Sequence, residues 1–72
     1  MEITIEVVKV KGSVPWAIKA TVNGVSRYRG YRYKADAQTN LSEWTNMSTA
    51  WFYPRNFNHN FHSAEECGIK EG

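Results

Sequence analysis

Asn23-Gly24 is the pair that most constrains how this chain folds, because it favours a tight reversal between two extended segments. Before it, Trp16, Ile18, Ala20 and Val22 alternate with Ala17, Lys19 and Thr21, the period of a strand with one buried face. After it comes Arg27-Tyr28-Arg29-Gly30-Tyr31-Arg32-Tyr33-Lys34, four cations and three tyrosines around one glycine.

The type of turn decides where those cations go. A two-residue turn pairs Val22 with Val25 and places Arg27 and Arg29 on the face of Ile18 and Ala20, a costly burial of charge. A three-residue loop over Val22, Asn23 and Gly24 pairs Thr21 with Val25 instead. It sets Lys19 against Arg27 and Ile18 against Tyr28, and lays the Trp16 indole near Gly30. The second register is the expected one. With a one-residue bulge at Gly30, Arg27, Arg29, Arg32 and Lys34 join Lys19 on an outer face, while Tyr28, Tyr31 and Tyr33 turn inward.

Upstream, Ile3, Ile5 and Val7 share one parity and Val8 and Val10 the other, which predicts a bulge at Val7-Val8. Downstream, Leu41, Trp44, Ser48, Trp51 and Phe52 fall on one helical stripe with Met47 at its edge. Asn40 and Glu43 read as its N-cap and capping box, and Pro54 as its stop, because proline disfavours helical backbone at Tyr53. Beyond lies a tail in which Phe57 and Phe61 anchor onto the core. Ser63 and Glu66 cap a single turn stopped by Gly68, and residues 69–72 fray. The expected fold is a single α+β domain over residues 1–72. It is a three-stranded antiparallel β-meander with one helix packed on one face and an irregular aromatic C-terminal tail.

A chain of 72 residues buries only about 60% of its unfolded surface, so its core is marginal. Cys67 is the only cysteine, which excludes an internal disulfide, and three tryptophans, four tyrosines and three phenylalanines take over that role. No apolar run is long enough to span a bilayer or resembles a secretory leader, so the chain reads as cytoplasmic with no membrane contact.

The net charge of +2 hides an asymmetry. Residues 1–34 carry seven cations and two anions (+5), and residues 35–72 carry two cations and five anions (−3). Such a dipolar protein steers one face toward a charged partner.

The chemistry-bearing residue types form no familiar site. His59, His62 and Cys67 lack a fourth ligand at standard zinc spacing, so no metal or other cofactor is expected. Cys67 beside His59 or His62 lacks the shielded pocket a nucleophilic dyad needs, so the chain is expected not to be an enzyme. What remains is a small binding protein of the regulator or inhibitor type. It docks on a larger, acidic protein partner through Lys19, Arg27, Arg29, Arg32 and Lys34. Tyr53 and Arg55 form a second contact of hot-spot composition. The alternative is nucleic-acid binding, with phosphates on the same basic strand. Exposed strand edges also allow a homodimer.

Overall fold

A computed structural model describes residues 2–47 and 49–71. The chain is α+β, but its antiparallel sheet has four strands rather than three. β1 (Ile3–Gly12), β2 (Trp16–Val22) and β3 (Val25–Tyr31) form the meander, and β4 (Ile69–Glu71) returns to the outer edge of β1, giving the order β3-β2-β1-β4. The segment expected to fray is therefore a strand, with Ile69 buried beside Val10. Gly72 lies outside the described residues.

The hairpin takes the two-residue turn. Asn23 and Gly24 both have positive φ, at 51° and 84°, and Val22 faces Val25. These backbone angles match the twist of the flanking strands. The pairing then runs unbroken from Val22↔Val25 to Trp16↔Tyr31, so the three-residue loop and the Gly30 bulge are both absent. Between β1 and β2 the register is equally continuous, from Ile3↔Val22 to Lys9↔Trp16, without the bulge expected at Val7-Val8.

The change of parity in β1 has another origin: the sheet buries opposite faces at its two ends. Ile3, Ile5 and Val7 join Ile18, Ala20 and Val22 in one core, under Trp44, Phe52, Phe57 and Phe61. Val8 and Val10 point the other way and pack with Ala17, Tyr28, Ala64 and Ile69 in a second, smaller core. A straight strand serves both because successive side chains alternate faces.

The helices cover the first core. α1 (Lys34–Asn46) begins seven residues before the expected start and buries Ala37 and Trp44, with Leu41 packed against the core. Those three are spaced i, i+4 and i+7, one face of a helix. Asn40 caps nothing; it sits inside α1 and donates its side-chain N–H to the Asp36 carbonyl. The helix stops at Met47, where the backbone becomes extended. Ser48 of the expected stripe lies outside the described residues. A 3₁₀ turn (Thr49–Phe52) delivers Phe52 to the core and leaves Trp51 exposed.

Pro54 then opens a helix instead of ending one. It is the first residue of α2 (Pro54–Asn60), where its missing N–H costs nothing. Phe57 and Phe61 are buried as expected, so the tail is anchored, but it is helical and not irregular.

After α2 the chain crosses the sheet. His62 makes an isolated bridge to Tyr28 on the free edge of β3, with both backbone hydrogen bonds formed (2.6 and 2.8 Å). α3 (Ala64–Cys67) follows as the expected single turn: the Ser63 side chain accepts from the Glu66 N–H, and Gly68 ends it in left-handed backbone. β4 then reaches the opposite edge. One ten-residue segment thereby grips both sides of the curled sheet over the second core.

That closure depends on glycine at position 12. Its φ is +126°, and a methyl group there would collide with the Gly68 backbone carbonyl, itself bonded to the Ser13 N–H at 3.0 Å. Gly12→Ala should therefore lower stability by about 2–3 kcal/mol in urea unfolding, the scale of a strained backbone that cannot relax. Gly24→Ala, at a turn open to solvent, meets no neighbouring atom and should be milder.

Candidate functional site

The observed register puts Arg27 and Arg29 on the helix-covered face, opposite Ala20 and Ile18. Both guanidinium groups are spent on the end of α2. Arg27 Nε donates to the Phe61 carbonyl at 2.8 Å, and Arg29 Nη1 donates to the Asn60 carbonyl at 3.1 Å. The last carbonyls of a helix have no partner within it and carry partial negative charge, so two cations there complete their hydrogen bonding and offset the helix dipole. Arg29 Nε also donates to the Tyr31 hydroxyl at 2.9 Å. Arg27 further lies 3.8 Å from the Glu66 carboxylate, which also faces His62 Nδ1 at 3.6 Å and accepts from the Ser63 hydroxyl. This clamp ties β3 to α2 and α3.

The expected five-cation outer face does not assemble. Lys19 lies on the opposite face from Arg27 and Arg29, between Glu6 and Tyr28 on the neighbouring strands. Arg32 is exposed in the bend after β3, and Lys34 opens α1. The tyrosines divide too. Tyr28 packs on the second core and Tyr31 on the first, whereas Tyr33, expected to face inward, is 62% exposed.

A different basic surface forms at the β4 end of the sheet. Lys9 stands opposite Trp16, Lys11 stands opposite Lys70, and Lys34 reaches back over the Trp16 ring, 5.1 Å from its centroid. Lys9, Lys11 and Trp16 share one sheet face by parity, and the Lys11–Lys70 pairing continues that row onto β4. All four lysines are exposed, and among the residues whose side chains the structure describes no carboxylate comes within ion-pair distance of them. Glu65 borders the hollow beside Lys11 and Lys70 without bonding either. Like charges directly opposite on paired strands oppose folding, so the Lys11–Lys70 pair is a local liability for the free protein. Lys9 and Lys11 flanking Trp16 in parity was the signal available in the chain; the fourth strand, which brings Lys70, was not anticipated.

Tyr53 and Arg55 lie at the start of α2, the far end from the arginine clamp. Tyr53 is 54% exposed, and with Arg55, Asn56 and His59 it lines an open hollow. This second surface is separate from the lysine face.

Cys67 is half-buried, and its thiol approaches the Tyr28 carbonyl at 3.5 Å. Burial pushes its pKa up, and the Glu66 carboxylate adds to the rise. A backbone hydrogen bond at Gly30 and the charge of Arg27 pull it partly back. A nucleophilic cysteine requires the opposite shift. Among the described residues, no three His, Cys, Asp or Glu side chains converge as a metal site would need. No helix among them is long and apolar enough to cross a membrane.

Comparison of the chain with protein-family models, with characterised proteins and with solved structures finds no match.

Proposed function

We propose that this chain is a non-enzymatic binding protein that docks on an acidic surface of a larger protein. The docking face is Lys9, Lys11, Lys34 and Lys70 around Trp16. The observation that carries this reading is the Lys11–Lys70 pair within a lysine group that no described carboxylate neutralises. An anionic partner supplies the missing counter-charge, and the indole beside it offers an apolar contact of the kind enriched at interface centres. Arg32, next to Lys34 in the chain, extends the positive field, while Arg27 and Arg29 serve the fold.

Charge reversal at this face should separate binding from stability. Lys11→Glu places opposite charges across β1 and β4, so it should raise the melting temperature by about 1–8 °C, from a pair term of roughly 0.2–1 kcal/mol. The triple variant Lys9→Glu, Lys11→Glu, Lys34→Glu should lose the complex that the parent protein pulls from nuclease-treated host lysate at low salt. A triple variant that keeps this complex overturns the assignment of the face.

A second reading rests on Tyr33, which is exposed between Arg32 and Lys34. An exposed ring flanked by cations suits single-stranded nucleic acid, through base stacking and phosphate contacts. Capture that disappears on nuclease treatment, with retention on DNA or RNA falling steeply with salt, selects this reading.

A further inference from the structure

β1 is ten residues long, yet among the described residues β4 faces only Val10, Lys11 and Gly12 on its outer side. Backbone direction along the rest follows from the bonds at its ends. The Asn23 N–H donates to the Glu2 carbonyl, and the Val10 N–H donates to the Pro15 carbonyl. Even-numbered residues of β1 therefore exchange hydrogen bonds with β2, as alternation in an antiparallel ladder requires. The odd-numbered residues turn their N–H and C=O groups outward. The Ser13 N–H, which donates to Gly68 on the β4 side, has the same parity. Among the described residues, Ile3, Ile5, Val7 and Lys9 thus present an unpaired lane of backbone groups in line with β4. The opposite edge of the sheet is different, because the His62 bridge occupies β3 at Tyr28.

The lane has chemically distinct ends. Beside Ile3 and Ile5 lies a mostly apolar hollow completed by Thr45, Met47 and Phe52. At the other end stand Lys9, Lys11 and Lys70. We infer that the partner's acidic segment binds as an added β-strand, antiparallel to β1 along residues 3–9. Its acidic end meets the lysines, and its alternate apolar side chains enter the hollow at Ile3 and Ile5. β4 already lies antiparallel in the same lane, so its orientation sets that of the added strand. Main-chain hydrogen bonds supply affinity in this mode, and the pockets for alternate side chains supply selectivity. The inference rests on the acidic-partner reading and specifies how that partner is held.

The probe is a capped peptide, Glu-Glu-Thr-Val-Thr-Ile-Thr-Val, added to the full chain and followed by amide hydrogen exchange and fluorescence titration. In the free protein the amides of Ile5 and Val7 should exchange at least tenfold faster than those of Glu6 and Val8. The peptide should slow Ile5, Val7 and Lys9 by at least tenfold. N-methylation at its first Val and its Ile should weaken binding by at least tenfold. Equal binding of the methylated peptide, or protection confined to other residues, overturns strand addition. So does the absence of binding at low salt. Slow exchange of Ile5 and Val7 in the free protein also overturns it, and a dimer by sedimentation would then identify a second copy as the occupant. Replacing both glutamates of the peptide by lysine tests the charge reading alone. If that peptide binds as well and gives the same protection, the lane stands and the acidic-partner reading fails.

Discussion

Replacing Arg27 and Arg29 together by alanine is expected to cost about 3–5 kcal/mol, a large share of the stability of so small a domain. Each guanidinium donates a charge-assisted hydrogen bond to a carbonyl at the end of α2, and removing one such bond costs about 1.5–3 kcal/mol. The two share a neighbourhood, so their effects need not add. A domain of 72 residues has roughly 4–11 kcal/mol of stability in total, on typical per-residue values. Urea unfolding measures the loss directly. A double variant within 1 kcal/mol of the parent would show that the clamp is not structural. The result bears on function as well. A complex lost on arginine substitution reports unfolding, whereas one lost on substitution of Lys9, Lys11 and Lys34 reports the interface.

Phe61→Ala should be the most damaging single substitution, at about 3–5 kcal/mol. Phe61 is fully buried, and its ring lies 4.9 Å from that of Trp44, 5.7 Å from Phe57 and 6.1 Å from Phe52. Its truncation opens a cavity between α1, α2 and the sheet, and removes aromatic contacts worth more than their area alone. Its carbonyl also receives Arg27, so disorder at this residue loosens the clamp too. Phe61→Leu, which keeps most of the volume, should recover at least half of the loss. Thermal unfolding of the two variants side by side checks both points. Equal loss in both would assign the effect to the ring contacts and not to the cavity.

The legible parts of this fold were those in which neighbouring residues decide the outcome. Ser63, Glu66 and Gly68 specify a one-turn helix by local capping chemistry, and that turn forms. Phe57 and Phe61 had to be buried because a small chain without disulfides needs its aromatics inside, and they are. Misreadings arose where a distant group supplied the missing partner. Burying two arginines beside Ile18 and Ala20 is unfavourable only if nothing receives them, and the carbonyls of Asn60 and Phe61 do. Those acceptors exist because residues 54–60 form a helix, which the pattern of an irregular tail concealed. The parity change in β1 was real, but a bulge was the answer for a sheet with one covered face. This sheet is covered on opposite faces at its two ends. The candidate site shifted for the same reason: without β4 there is no Lys70 beside Lys11, and without the true start of α1 there is no Lys34 over Trp16.

The segment that spans the sheet from His62 to β4 also sets an order of events during synthesis. β1 leaves the ribosome well before Ile69, yet Val10 finds its neighbour only when Ile69 has emerged. The hairpins joining β1, β2 and β3 are local and form within microseconds once made. Joining residues 10–12 to residues 69–71 closes a far longer loop, and contacts so distant in sequence form late. Until residues 69–71 emerge, the meander therefore stands with Val8, Val10, Ala17 and Tyr28 uncovered. That interval, more than the mature protein, is when this chain is most exposed to aggregation and to capture by chaperones.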